Sequence, residues 1–346
     1  MHIDFNAIEV ASALGALALS LAILVNAEPL GKLLGVIDYP DNRRKLHARA
    51  TPLIGGIAMM VPLLVWSALG YFWPVFAEGG RVPLSVLLCG CAAALIGFFD
   101  DRSPISPVVR LTALLVLTYV ALLLEPGLVP AQFNWGHLAP SRAAPWLAEL
   151  LVAIGMAGYV NAVNMADGQD GCVTGMFVIW SACIVLAGGG STADMAAILL
   201  LTGIAVFAFN IQKKVFLGGA GTYGVTFVFG LLVLRLHNHW GLSGEAVMVW
   251  FFVPVVDCLR LLIMRPLQGH SPFEADRNHF HHRLDDRFGK RGGLAIYLGL
   301  VASTSLAVAV APRLAPDCLM ALVILYVGLM LVTVSKSVAV EAAPPD

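Results

Sequence analysis

Charged side chains are scarce in this chain. Asp, Glu, Lys and Arg make up only 12% of its 346 residues, whereas 59% are hydrophobic, and the mean hydropathy is +0.83. Soluble domains carry about a quarter charged residues, so the composition indicates an integral membrane protein. The net charge of -1 shows no basic excess, and it therefore gives no support to nucleic-acid binding.

Cysteine is also sparse, and its spacing contains no C-x-x-C pair. The six cysteines lie in or beside apolar segments: Cys89, Cys91, Cys172, Cys183, Cys258 and Cys318. A zinc site and a disulfide framework are both disfavoured by this pattern. The N-terminus lacks the basic start and the small-residue cleavage site of a signal peptide, so we expect its first apolar segment to remain as a membrane span.

Long apolar runs fill most of the chain. A helix needs about 20 mostly apolar residues to cross a bilayer, and eleven segments approach that length. They are residues 8–28, 52–72, 82–99, 107–125, 147–163, 172–189, 193–210, 222–238, 245–265, 293–311 and 316–335. The linkers are short and show no repeat. We therefore predict one all-α domain, residues 1–346, forming a polytopic membrane helix bundle of about eleven transmembrane helices, with ten as the alternative.

Lysine and arginine favour one side of these predicted spans. With the N-terminus outside, seventeen of the 21 basic residues fall on one face, and only Arg81, Arg142, Arg235 and Arg313 fall on the other. Because cytoplasmic loops carry such an excess, the sequence predicts a periplasmic N-terminus and a cytoplasmic C-terminus. Nearly all the polar motifs then lie on the cytoplasmic side, in five separate segments.

Two of these segments present carboxylates. Asp100 and Asp101 are adjacent at the end of an apolar helix, where their charge needs a counterion. Mg²⁺ is the natural partner, because it takes one or two carboxylates together with phosphate oxygens; an exposed acidic turn is the alternative. In the other segment, Asn161, Asn164 and Asp167 share one helical face.

Three further segments carry basic residues, glycines or histidines. The segment 38–56 contains Arg43, Arg44 and Lys45, which suit phosphate binding or, equally, a positive-inside anchor. Its Gly55–Gly56 pair permits a close backbone approach. The segment 213–222 has a basic pair and a glycine-rich turn, which suits either phosphate binding through N–H groups or a flexible turn.

The last segment, Ser271–Leu284, is the most distinctive. It brings three histidines, two arginines and two acids together beside an apolar helix, as binding of a phosphorylated substrate at a membrane surface requires. In the helix before it, Asp257 and Arg260 are three residues apart, and we expect them to form a structural ion pair.

In this order, the five segments resemble those of the polyprenyl-phosphate N-acetylhexosamine-1-phosphate transferase superfamily, over roughly residues 31 to 290. The WecA-like undecaprenyl-phosphate GlcNAc-1-phosphate transferases are the most similar branch, and MraY is more distant. The resemblance implies transfer of a sugar 1-phosphate from a UDP-N-acetylhexosamine to undecaprenyl phosphate, with release of UMP. It implies Mg²⁺, with Mn²⁺ as a substitute, and the inner membrane of a bacterium with the active site facing the cytoplasm. A homodimer is compatible with it.

The resemblance also assigns roles to individual residues. It places Asp100, Asp101 and Asp167 near the metal and the reacting phosphates, as catalytic residues and metal ligands. It places Asp170 and Phe216 at the uracil and Arg49 near the nucleotide. The substrate-binding set that it implies consists of Arg49, Asn161, Asn164, Asp170, Phe216, Arg277, His279, His281 and His282.

One position departs from the family pattern. The pattern reads Phe-x-Gly-Asp-x-Gly, whereas this chain has Gly219 in place of the aspartate, which is a principal Mg²⁺ ligand in the family. Loss of a metal-binding carboxylate weakens metal catalysis. Two hypotheses follow: an active transferase that relies on the remaining acids, and an impaired relative that binds its substrates without efficient turnover. A transporter is a third, less favoured class, because its polar residues would gather at the membrane midplane.

Overall fold

The computed structural model describes residues 7–40, 50–72, 83–130, 133–135, 138–141, 144–272 and 276–341. Helices dominate these ranges, which confirms the predicted all-α class. The helices are α1 (Ala7–Val25), α2 (Ala27–Leu34), α3 (Gly55–Phe72), α4 (Leu84–Arg102), α5 (Pro107–Leu124), α6 (Pro145–Ala166), α7 (Cys172–Ala187), α8 (Gly190–Asn210), α9 (Thr226–Trp240), α10 (Gly244–Leu267), α11 (Phe280–Val310) and α12 (Ala315–Glu341).

Short elements connect the helices. A π-helical turn, Ala220–Val225, leads directly into α9, and 3-10 turns span Pro126–Leu128 and Pro312–Leu314. Two small antiparallel hairpins pair β1 (Ile37–Asp38) with β2 (Thr51–Pro52), and β3 (Phe133–Trp135) with β4 (Leu138–Ser141). Helices predominate because the bilayer core offers no water to backbone N–H and C=O groups, and a helix pairs these groups within itself.

Nine helices in the described part of the chain are long and apolar enough to cross a membrane. The chain is therefore a multi-pass membrane protein. A tenth span is formed if α1 and α2, which meet at a bend of 72°, count as one. The remaining predicted span, residues 172–189, corresponds to α7, which is apolar but only 16 residues long. The count of eleven is thus too high by the length criterion, and the alternative of ten agrees with the structure.

Aromatic side chains form the centre of the bundle. Trp180 on α7 contacts Phe251 on α10 with 5.0 Å between ring centroids, and Phe177 lies 5.3 Å from Phe229 on α9. The indole N–H of Trp180 donates to the carbonyl of Trp250 at 2.8 Å, so this buried polar group is paired. These contacts fix α7, α9 and α10 against one another.

Small residues allow the turn before α9 to enter the bundle between α3 and α4. A methyl group on Gly56 of α3 would lie 1.9 Å from the backbone nitrogen of Gly221. On the other side, a methyl group on Gly224 would lie 2.5 Å from the Cβ of Ala94 on α4. Small residues at helix contacts in membranes permit such backbone approach, which confirms the interpretation of the Gly55–Gly56 pair.

We expect Gly56→Ala to destabilise the bundle. Because the added methyl group meets backbone rather than a movable side chain, the free energy of unfolding should fall by about 1–3 kcal/mol, as in other overpacked cores. Thermal unfolding of the detergent-purified protein measures this change. Gly328→Ala is the matched control, since nothing lies within 4 Å of its added methyl group. Equal unfolding midpoints for the two variants would contradict the contact.

Candidate active site

Segments that are distant in the sequence meet at one end of the helix bundle. The loop before α3 joins the loop before α9, because the N–H of Phe216 donates to the carbonyl of Pro52 at 3.0 Å. The hydroxyl of Thr222 donates to the side-chain oxygen of Asn164, at the end of α6, at 3.0 Å. This gathering confirms that the polar motifs share one face of the molecule.

The two adjacent acids at the end of α4 have different partners. Asp100 accepts hydrogen bonds from the N–H of Ile105 and from the Arg110 guanidinium, both at 2.7 Å. Both of its carboxylate oxygens thus stabilise the turn into α5. Asp101 instead accepts the N–H of Gly219 at 2.7 Å, which places it against the loop before α9. Of the two acids, Asp101 is the one joined to the other predicted site residues.

Asp167 follows the last residue of α6 and faces other carboxylates. Although solvent reaches its side chain, protein atoms crowd around it, and this loss of hydration raises the pKa of Asp167 to about 7. The charges of Asp101 and Asp170 act in the same direction. Asp170 also lies 3.7 Å from the ammonium group of Lys213. Negative charge is therefore concentrated at this point.

The turn that contains Asp167 and Asp170 is held by a residue that our sequence analysis did not identify. The side-chain oxygen of Asn210, which is buried at the end of α8, accepts the N–H of Gly171 at 2.7 Å, and its amide donates to the carbonyl of Val215 at 3.0 Å. Asn210 thereby connects the turn after α6 to the loop before α9. In the sequence, the one indication of this role is that an asparagine stands at the end of an apolar helix.

The glycine-rich segment before α9 is neither a flexible turn nor an open phosphate site. Residues 217–225 are buried, and the N–H of Gly219 is used by Asp101. Phe216, at the start of the segment, is half-buried. The backbone carbonyls of Phe216 and Leu217 accept the N–H groups of Gly55 and Gly56 at 2.9 and 2.7 Å. This segment fills the space between helices.

A buried carboxylate organises the histidine segment. Asp257 on α10 accepts hydrogen bonds from Nδ1 of His279 at 2.9 Å, from the N–H of Phe280 at 3.1 Å and from the Arg260 guanidinium at 2.7 Å. The predicted pair of Asp257 and Arg260 is thus present. The bond to Nδ1 fixes the orientation of the His279 ring. A carboxylate buried in an apolar helix requires such partners.

His281 and His282 extend from this anchored segment towards the turn after α6. Their ring centroids are 4.2 Å apart, and the His279 ring stacks on that of His281 at 5.4 Å. A methyl group on Gly168 would lie 2.5 Å from Nε2 of His281 and 3.3 Å from Nε2 of His282. Nε2 of His281 is buried and has no partner within the described part of the chain.

The loop before the histidines is held by a further ion pair. Arg265, buried near the end of α10, donates to Asp276 at 3.0 Å and to the carbonyl of Pro272 at 2.8 Å. Burial by itself raises the pKa of the Asp276 carboxyl, but the hydrogen bonds from Arg265 and from the N–H of Asn278 outweigh it and hold that pKa below its usual range.

The remaining predicted substrate-binding residues are placed differently. Arg277 is exposed next to the histidines. Asn161 lies one turn before Asn164, and its amide contacts the sulfur of Met165 at 3.5 Å, between α6 and α10. Arg49 lies outside the described residues.

Comparison with known proteins finds similarity to one family. A model of glycosyl transferase family 4 matches residues 83–237, which run from the start of α4 into α9. The chain is 28% identical to an undecaprenyl-phosphate alpha-N-acetylglucosaminyl 1-phosphate transferase of Yersinia pestis, over 76% of this chain and 73% of the relative. It is 29% identical to the protein of that name in Escherichia coli K12, over 74% and 71%, and 26% identical to a probable undecaprenyl-phosphate N-acetylglucosaminyl 1-phosphate transferase of Bacillus subtilis, over 79% and 76%.

The chain is similar to glycosyl transferase family 4 over residues 83–237. It is a transferase, and its relatives support the branch that includes the WecA-like and MraY-like enzymes. This similarity agrees with the resemblance drawn from the five segments.

The three acids predicted to bind metal do not form a preassembled site in this transferase. Within the ranges described, no three His, Cys, Asp or Glu side chains are arranged to hold a metal ion. The reason is that Asp100 is engaged by Arg110 and by the Ile105 N–H. Asp101 and Asp167 remain close enough for their charges to interact, and two carboxylates suffice where substrate phosphates supply the other oxygens.

We expect Asp257→Asn to destabilise the transferase and to displace its histidines. The substitution leaves the half-buried Arg260 without its counter-charge and puts an N–H group where His279 now donates. Breaking a buried pair in this way costs about 3–5 kcal/mol. Thermal unfolding in detergent measures the change, with Asp317→Asn, on the exposed start of α12, as the control. If both variants unfold at the same temperature, Asp257 does not anchor the segment.

Proposed function

We propose that this transferase moves GlcNAc 1-phosphate from UDP-GlcNAc to undecaprenyl phosphate, releasing UMP. The product would begin a lipid-linked glycan of the cell envelope. The observation that carries this proposal is the meeting of Asp101, Asp167 and the buried histidines at one end of an otherwise apolar bundle. The names of the relatives supply the proposed acceptor, undecaprenyl phosphate, and the proposed sugar, N-acetylglucosamine.

The excess of lysine and arginine on one face supports a cytoplasmic position for this end of the bundle, in the inner membrane of a bacterium. A nucleotide sugar is made in the cytoplasm, whereas the acceptor lies in the bilayer. The two substrates can meet only at the inner surface. That requirement agrees with polar segments that lie at the ends of α4 and α6 and at the start of α11.

In the proposed reaction, an oxygen of the lipid phosphate attacks the sugar-linked phosphorus of the UDP-sugar. The bond from that phosphorus to the UMP oxygen breaks, and UMP leaves with the electron pair. A phosphate monoester is already ionised near neutral pH, so no residue has to remove a proton from it. Catalysis therefore depends on positioning and on stabilisation of negative charge.

The histidine segment is suited to binding the diphosphate and the sugar. Nε2 of His281 is buried without a partner in the described part of the chain, and it borders the Gly168 turn. It would donate a hydrogen bond to a phosphate or sugar oxygen. Asp257 holds the neighbouring His279 in place, which keeps the group preorganised. Arg277, exposed beside it, would add positive charge towards the diphosphate.

The carboxylates fit a divalent cation. Asp101, Asp167 and Asp170 concentrate negative charge at one point, and oxygen donors of this kind suit Mg²⁺ or Mn²⁺. Asp101 and Asp167 would hold the ion, with phosphate oxygens and water completing its shell. When bound, the ion would neutralise charge on the diphosphate. Asp170 and Lys213 form an ion pair beside these carboxylates and would contact the nucleotide.

An apolar cavity supports a lipid acceptor. Its volume is about 570 Å³, and it lies between α6, α9, α10 and α12, with Met156, Tyr159, Phe251 and Val323 in its wall. None of the polar site residues lines it, so it suits a hydrocarbon chain and not the reacting phosphate. Tyr159 is five residues before Asn164 on α6, a rise of about 8 Å. A prenyl chain in the cavity would place its phosphate near the site.

A transfer assay tests the proposal. With radiolabelled UDP-GlcNAc, undecaprenyl phosphate and Mg²⁺, we expect the purified protein to form a labelled lipid, and excess EDTA to stop the reaction until Mg²⁺ is restored. Asp167→Asn should lower the rate by about 100-fold or more, because it removes one of the two carboxylates that would hold the Mg²⁺ ion. Asp317→Asn, on the exposed start of α12 and outside the five polar segments, should retain the parent rate.

The assay also separates the two function hypotheses. A protein that binds UDP-GlcNAc and undecaprenyl phosphate, but forms no labelled lipid with any UDP-N-acetylhexosamine, is the impaired relative. A protein that binds neither substrate contradicts both hypotheses.

A further inference from the structure

Two glycines from different segments are in direct backbone contact. Gly97 lies on α4, and Gly219 lies in the buried segment before α9. A methyl group on Gly97 would lie 2.0 Å from the carbonyl oxygen of Gly219, and one on Gly219 would lie 2.2 Å from the carbonyl oxygen of Gly97. Both distances are far below van der Waals contact. With the backbone in this position, neither residue can carry a side chain.

The same two elements are joined by a hydrogen bond to a site residue. Asp101 lies four residues after Gly97, one turn further along α4, and its carboxylate accepts the N–H of Gly219 at 2.7 Å. The preceding Gly218 has a φ of +72°, and a methyl group there would lie 3.0 Å from the same carboxylate oxygen. The close approach of Gly97 and Gly219 thus brings a donor to Asp101.

Neighbouring contacts prevent the segment from moving away from α4. On its other side, Gly221 contacts Gly56 of α3, and one helical turn later Gly224 contacts Ala94 of α4. The segment therefore lies between two helices and touches the backbone of both. A side chain at position 219 could be accommodated only by separating α4 from this segment, which would also break the hydrogen bond to Asp101.

We infer that Gly219 is a positioning residue of this transferase: its N–H orients the Asp101 carboxylate beside Asp167, and its missing side chain permits that contact. The inference rests on the proposed function. The glycine is then not a simple loss of the family aspartate, because the position has no room for an acid. Restoring aspartate should therefore reduce activity, contrary to the expectation from the family pattern alone.

The test compares Gly219→Ala, Gly219→Asp and Gly97→Ala with Gly299→Ala. Nothing lies within 4 Å of a methyl group on Gly299, so it is a matched glycine-to-alanine control on a distant part of α11. Three properties are measured for each purified protein: the unfolding midpoint without substrate, Mn²⁺ binding by electron paramagnetic resonance, and kcat and KM of transfer.

We expect Gly219→Ala and Gly219→Asp to lower kcat by about 10-fold or more, as misplacement of a reacting group does, with less change in KM for the UDP-sugar. Mn²⁺ affinity should fall with kcat, and Gly299→Ala should match the parent. A rise in kcat or in Mn²⁺ affinity for Gly219→Asp would overturn the inference, because it would show that the position accepts a metal ligand.

A double-mutant cycle separates positioning from packing. Asp101→Asn removes the charge but keeps an oxygen that can accept the Gly219 N–H. If Gly219 acts through Asp101, adding Gly219→Ala to Asp101→Asn should lower Mn²⁺ affinity no further. Additive losses would mean that Gly219 affects the site only through general packing, and they would refute the inference.

A second pair of variants decides the question if the Gly219 proteins do not fold. Asp101→Asn should unfold close to the parent, whereas Asp101→Ala leaves the buried N–H of Gly219 without its acceptor and should unfold several degrees lower. Equal midpoints would refute the hydrogen bond. These measurements need no turnover, so a parent protein that forms no labelled lipid would contradict the proposed function while leaving this test valid.

Discussion

A buried carboxylate that must be paired inside an apolar bundle determines where the histidine segment lies. Asp257 is buried, and its carboxylate accepts hydrogen bonds from a guanidinium, an imidazole and a backbone N–H group. Two of these donors, His279 and Phe280, belong to the histidine segment where it enters α11. The start of α11 is thereby fixed to α10, and His281 and His282 follow against the turn after α6. The chemistry at this end of the molecule depends on that one anchored carboxylate.

The absence of side chains has an equally direct effect on the other half of the site. Where glycine stands on both sides of a contact, helices in a membrane protein can approach to backbone distance. The segment before α9 uses this property twice, at Gly56 with Gly221 and at Gly97 with Gly219. Its π-helical geometry, a form that recurs at functional sites, continues directly into α9. The same glycines therefore determine both the packing of this segment and the hydrogen bond to Asp101.

Several site assignments could be made from residue types alone, and others could not. Asp167 was identified because it shares a helical face with Asn161 and Asn164, and the histidines because they cluster with arginines and acids beside an apolar helix. Asp100 and Asp101 could not be distinguished, since adjacent carboxylates look alike in a sequence. The position of Arg110, one turn into α5, gave Asp100 a partner and left Asp101 for the site. Asn210 was missed because it joins Gly171, in the turn after α6, to Val215, in the loop before α9. The sequence does not show that these two loops meet at the end of α8.

The sequence by itself determined the class of the protein, the approximate positions of its helices and the set of polar segments that make up the site. These features follow from local composition, because a run of apolar residues of sufficient length has few alternatives in a bilayer. The tertiary structure alone decided which members of each segment face one another. It paired the Asp100 carboxylate with Arg110, placed Gly219 against Gly97 and left no room for a side chain at position 219. The contacts of Gly219 with Gly97 and Asp101 join residues more than 100 positions apart, and no local pattern contains that information.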